Sequence, residues 1–185
     1  MADLVQATKD SPDKITLGVQ LRGSSHFMAG LIAMSSGSEF RVVEAGSDAD
    51  KLVQLQGHQI NAALVNTPGA LQYVEKGDLR VLATIAGTPD RDANAADFPS
   101  MAELGYADAV YGLDFLVMGP NGMDPADVEA INAAFTAVLN DAAITEQLTK
   151  MRMPISPLSV DASQTRLRAS DKSVKATAEL LGLAN

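Results

Sequence analysis

Three short stretches carry the side chains best suited to holding an anion: Arg22-Gly23-Ser24-Ser25, Gly46-Ser47 and Asn66-Thr67. Each follows a β-rich run and opens a helical one. A helix N-terminus presents backbone N–H groups with no partner inside the helix, together with the positive end of its dipole. Hydroxyl and amide side chains in that position suit an anion. Gly23, Ser24 and Ser25 would face that anion, with Gly46, Ser47, Asn66 and Thr67 completing a polar wall. Arg22 offers either a bidentate fork or an ordinary solvent-facing charge. Taken singly, each turn reads equally as a plain helix cap. The first turn is neither a P-loop nor a GxGxxG fingerprint, because no Lys follows its glycine and the glycine spacing is wrong.

Catalytic readings are weaker. Ser25 and His26 are adjacent, and neighbours on a helix point about 100° apart, so they do not form a nucleophile–base pair unaided. No GxSxG elbow occurs. His26 and His58 stand far apart with no HxH or HxxxH spacing, and there is no cysteine. No catalytic residue, metal site or cofactor is therefore expected.

The elements that must position these turns can be read from the pattern. β-rich runs start near residues 15, 40, 60 and 79, each separated by a helix-length gap. That alternation predicts parallel βαβ units, with strands at Ile15–Val19, Phe40–Val43, Ile60–Val65 and Leu79–Ile85. Residues 87–99 read as a polar surface loop, Ser100–Gly105 as a short helix and Ala109–Met118 as a long strand. Asp124 with Pro125 predicts a helix start. Val128, Ile131, Phe135, Val138 and Leu139 then line one face. Asp161 with Gln164 predicts a capping box for the last helix, striped by Leu167, Val174, Ala178 and Leu181. Two amphipathic C-terminal helices thus follow an α/β unit whose sheet is already supplied with helices.

The chain has 185 residues with 14 basic and 23 acidic side chains, a net charge of −9. With no Trp, five Phe and three Tyr, it offers few stacking platforms. Nucleic-acid affinity rests on clustered Lys and Arg, so this balance argues against a nucleic-acid partner. No apolar run reaches the roughly 18 residues of a membrane span, and the first residues lack the pattern of a signal peptide.

Nearly the whole chain resembles the substrate-binding proteins of tripartite tricarboxylate transporters, the Bug-type periplasmic receptors. The likeness lies in DLVQATKDSPDKITLG, in RGSSHFMAG, and in the long series from VVEAGSDADKL to KGDLRVLA. It continues through DFPSMAELGY and GLDFLVMGPNGMDPADVEAINAAF. Order and spacing together make it specific. There are departures: the Tyr-Lys that normally precedes the glycine is here Glu44-Ala45 before Gly46, and a common Asp at the third strand is Asn61. The N-terminal half-lobe of the family has no counterpart, and the chain begins where the second lobe begins.

The resemblance implies an α/β lobe of the periplasmic-binding-protein type II kind, with a mostly parallel sheet, at residues 1–112. Residues 113–185 would be a hinge strand and the C-terminal helices of a second, incomplete lobe. It implies non-enzymatic capture of a small organic acid, membrane permease subunits as partners, and a periplasmic location. A ligand-sensing or regulatory domain of the same fold, dimeric through its C-terminal helices, remains the alternative. The apolar stripes of those helices predict either fold-back or a homodimer.

Overall fold

At the centre of the first half lies a parallel sheet of three strands in the order β2-β1-β3. The computed structural model describes residues 1–92 and 95–183. Met1–Leu113 form one compact unit and Asp114–Asn185 a second. In the first, α1 (Ala2–Asp10) is followed by β1 (Thr16–Val19), α2 (Ser24–Ser36), β2 (Arg41–Glu44), α3 (Asp48–Gln56), β3 (Ala62–Ala63) and α4 (Thr67–Glu75). β1 pairs with β2 from Thr16↔Arg41 to Val19↔Glu44, and with β3 at Leu17↔Ala62 and Gly18↔Ala63. Asn61 N–H to Thr16 O and Leu64 N–H to Gly18 O carry that second pairing one residue further each way. Three expected strands therefore stand; β1 and β2 lie close to their predicted spans, while β3 keeps only Ala62–Ala63 of the expected Ile60–Val65.

Side-chain alternation along β1 divides its work. Leu17 and Val19 face one way, packing with Ala29 of α2 and with Phe40, Val42, Ala62 and Leu64. α2 contributes Ser25, Ala29, Ile32 and Ser36, all buried, at the i, i+4, i+7, i+11 spacing of one helical face. Gly18 faces the other way, where a Cβ would lie 2.5 Å from Ile60 Cδ1 and 3.1 Å from Ala45 Cβ. A second core patch joins Ile32 with Met101 and Ala109.

Several expectations are corrected. Leu79–Ile85 is not a strand of the sheet; it contributes only an isolated parallel bridge, Thr84↔Ser100. Ser100–Gly105 is a chain of turns rather than a helix, closed by Tyr106 N–H to Met101 O. Arg91 pins this stretch, its Nε and Nη2 on Glu103 and its Nη1 on Ala96 O. The loop read over 87–99 is irregular where described; its residues 93 and 94 lie outside the described residues. Ala109–Met118 forms no strand either. β propensity expresses itself only when a neighbouring strand supplies the ladder, and among the described residues none flanks it.

Among the described residues the second unit holds three helices where two were expected: α5 (Pro125–Leu139), α6 (Ala142–Lys150) and α7 (Val160–Leu180). Asp124 caps α5 and Asp141 caps α6. The cap of α7 is Ser159, whose hydroxyl accepts Ala162 N–H, and not the Asp161–Gln164 pair. None of the three helices has a buried residue. Asp114 accepts from Arg166 Nε at 2.7 Å and from Ser170 Oγ at 3.2 Å. Phe115 is 88% and Met118 80% exposed. Ile131, Phe135, Val138, Leu167 and Val174 are exposed as well, while Val128, Leu139, Ala178 and Leu181 are half-buried, so the predicted apolar stripes are only partly covered.

Candidate functional site

The three anion-suited turns leave the same end of the parallel sheet, the carboxyl ends of β1, β2 and β3, because parallel strands send their following loops to one edge. Their hydrogen bonds decide which donors remain for a ligand.

The β1–α2 turn is held from inside. Gly23 N–H donates to Gln20 O at 3.0 Å, closing a tight turn in which Arg22 has φ 63°. The preceding three N–H groups each find a side-chain acceptor: Gln20 on Ser25 Oγ at 2.8 Å, Leu21 on Glu44 Oε2 at 2.7 Å, Arg22 on His26 Nδ1 at 3.2 Å. Ser25 is buried; its hydroxyl oxygen supports the turn, and its O–H proton is still available to donate. Gly23 spends its N–H on the turn and serves by lacking a Cβ, which would meet Gln20 O at 3.2 Å. Among the described residues, the backbone N–H groups of Ser24 and Ser25 and the Ser24 hydroxyl have no internal partner, and the Arg22 guanidinium makes no ion pair. Ser25 and His26 serve two different turn amides and do not bond to each other.

At the β2–α3 turn, Gly46 has φ 74° and donates its N–H to Glu44 Oε1 at 2.8 Å. Ser47 and Asp50 form a reciprocal capping box. The Ser47 hydroxyl also donates to Asp50 Oδ2 at 2.6 Å, so this expected wall residue is committed to its own helix. The third turn is joined to the second. Asp48 Oδ2 accepts both Asn66 N–H and Asn66 Nδ2 at 2.8 Å, while Asp48 Oδ1 lies 3.0 Å from Lys51 Nζ. Thr67 opens α4 with Pro68 behind it. The Thr67 hydroxyl and its N–H, with that of Gly69, face no internal acceptor among the described residues.

All eight expected residues thus sit on the three turns. Ser24, Ser25, Thr67 and Arg22 retain donors, whereas Gly23, Gly46, Ser47 and Asn66 hold the frame. Sequence reasoning missed the two acids that organise the edge, Glu44 and Asp48. Glu44 was visible only as a departure from the family pattern, standing with Ala45 where Tyr-Lys is usual. The Leu21 and Gly46 N–H groups, with a smaller contribution from Lys51, hold the Glu44 carboxyl below its ordinary value of 4.5. Tyr111, stacked on Phe27 of α2 with ring centroids 6.5 Å apart, was also missed. Burial raises its phenol above the ordinary value. Among the described residues no group of three His, Cys, Asp or Glu could hold a metal, and no helix is long and apolar enough to cross a membrane.

Residues 1–181 match the family described as the tripartite tricarboxylate transporter family receptor. The chain is 28% identical over 144 residues to the BugT protein of Bordetella pertussis, a match covering 77% of this chain and 44% of that one. It spans about half the length of the curated relatives it matches. The fold is similar to that of R. palustris Rpa4515 with adipate, at TM-score 0.87 and 24% identity, covering 100% of this chain and 61% of that one. It is also similar to the periplasmic binding protein BugD, at TM-score 0.80 and 18% identity, covering 99% and 62%.

Proposed function

The chain belongs to the tripartite tricarboxylate transporter receptor family, and on that premise we propose that it is a non-enzymatic solute-binding protein that captures a small organic acid by its carboxylate. The observation that carries this is the gathering of three helix-opening turns at one end of a parallel sheet, cross-tied by Glu44 and Asp48, with the Ser24, Ser25 and Thr67 donors left unspent. Preorganised N–H and hydroxyl donors at helix N-termini bind a carboxylate without needing a net positive surface, which suits a chain of charge −9. The adipate in the Rpa4515 structure supports the ligand class. The separate engagement of Ser25 and His26 speaks for binding rather than catalysis. As a receptor of this family it would act in the periplasm and hand its ligand to membrane permease subunits.

A thermal-shift screen of dicarboxylates, amino acids and aromatic acids, followed by calorimetry, tests the reading. A ligand that binds only the folded state raises the melting temperature with the logarithm of its excess concentration. A carboxylate is expected among the hits; no shift with any of the three classes overturns the proposal.

The second unit supports an assembly reading. Phe115, Val117, Met118, Ile131, Phe135 and Val138 are exposed, and each side chain of that kind left in water forgoes about 1.5–3 kcal/mol. We infer that a second copy covers this surface as a homodimer, burying the stripes reciprocally. Light scattering decides it: a dimer is expected, and a monomer at high micromolar concentration sinks the reading.

A further inference from the structure

Glu44 places a permanent negative charge inside the proposed binding edge. Its Oε2 takes Leu21 N–H of the first turn and its Oε1 takes Gly46 N–H of the second. The carboxylate of this exposed residue therefore bridges the two turns. Leu21 lies within the tight turn that Gly23 N–H closes onto Gln20 O, so Glu44 is tied to the same turn that leads into the Ser24 and Ser25 donors of α2. Each carboxylate oxygen has a second lone pair, so two acceptor positions remain. The other acids of the edge are engaged within or between the second and third turns: Asp48 is paired with Lys51, and Asp50 keeps its charge but turns it onto Ser47 of its own helix. Glu44 is the acid that joins the first turn to the second, and Arg22 is a cation of the first turn without an ion pair among the described residues. A dicarboxylate whose first end sits on α2 would bring its second charge towards a like charge, which disfavours it. A ligand with a carboxylate at one end and an ammonium at the other would meet opposite charge at both.

Resting on the carboxylate-binding reading above, we infer that Glu44 is the specificity-determining residue of this site and selects amino carboxylates over dicarboxylates. The carboxylate of the ligand takes the Ser24 and Ser25 donors, with Arg22 beside them, and its ammonium donates to the two unused acceptor positions of Glu44.

The test is calorimetry on the full chain with matched straight-chain pairs. Each pair joins an α,ω-dicarboxylate to the ω-amino acid of equal carbon number, from four to seven carbons, and the corresponding monocarboxylate is run as the neutral-ended control. The expected result is an ω-amino acid bound at least about tenfold tighter than its dicarboxylate partner. Glu44→Gln should collapse that preference and Glu44→Asp should retain it. A dicarboxylate bound as tightly as, or more tightly than, its amino acid partner in the wild-type chain overturns the inference while leaving the carboxylate reading intact. An unchanged ratio in a folded Glu44→Gln variant does the same; if that variant does not fold, the wild-type ratio and Glu44→Asp decide. Failure of every compound to bind overturns this inference, and the same failure together with a blank thermal-shift screen of all three acid classes overturns the carboxylate reading as well.

Discussion

Lys51 Nζ lies 3.0 Å from Asp48 Oδ1 in a side chain that is only 3% exposed, and it also donates to Leu64 O at 2.9 Å. Asp48 in turn holds both the backbone and the side-chain amide of Asn66. One ion pair within α3 thus fixes the turn that opens α4, nearly twenty residues further along. Removing one partner of a buried pair strands the other, whereas its apolar stem can be replaced more cheaply. Lys51→Ala is expected to destabilise the chain by about 1–3 kcal/mol, the desolvation cost of the groups left behind. Urea melts check this, and an unchanged midpoint would show that the bridge contributes nothing net.

Gly18 has room for no side chain on its face of β1. A Cβ there would stand 2.5 Å from Ile60 and 3.1 Å from Ala45, and Ile60 is itself buried. Overpacking of a close-set core costs roughly 1–3 kcal/mol. Gly18→Val should lower stability by that amount, and pairing it with Ile60→Ala should recover part of the loss. A double variant no more stable than Gly18→Val alone would place the strain elsewhere.

Ser24 and Ser25 are neighbours with different duties, and their alanine variants should separate. Ser24→Ala removes an unspent hydroxyl, so carboxylate affinity should fall by about 1 kcal/mol with the melting temperature unchanged. Ser25→Ala takes the buried hydroxyl that accepts the Gln20 amide, so stability should fall by about 1–2 kcal/mol as well. Melting curves and calorimetry on the two variants distinguish these outcomes; equal losses of stability would contradict the division.

Acid should loosen the binding edge before it unfolds the sheet. Glu44 is held below its ordinary 4.5 first by Leu21 N–H, then by Gly46 N–H, with Lys51 adding a weaker attraction. Asp50 is held below its ordinary 3.8 by the Ser47 hydroxyl and amide. A depressed carboxylate contributes stability that is fully present above its unfolded value and is lost as pH falls through the folded one. The loss therefore begins below about pH 4.5 and continues through the lowered folded values. Glu44→Gln should flatten the fall in melting temperature between pH 5 and about pH 3, and an equally steep fall would remove Glu44 from the acid response.

Much of this architecture is written locally. Thr16–Val19, Arg41–Glu44 and the residues around Ala62 are β-rich runs set a helix apart. Ser47 and Asp124 announce their helices by capping chemistry that acts within three residues. Such features are legible because the interacting atoms are neighbours in the chain. The parallel sheet agrees with them, since a helix between successive strands is the crossover that parallel pairing needs.

Tertiary structure decided what local pattern could not express. Leu79–Ile85 and Ala109–Met118 have strand composition, yet a strand exists only if another strand lies beside it, and that depends on the whole packing. The same holds for the ligand edge. Gly23, Ser47 and Asn66 look like donors in sequence, but Gln20, Asp50 and Asp48 already consume them. Glu44 reaches Leu21 across 23 positions, and Asp48 reaches Asn66 across 18. Residue types at three turns mark where an anion could bind, but each N–H can be given only once, and only the folded chain determines which remain to be given.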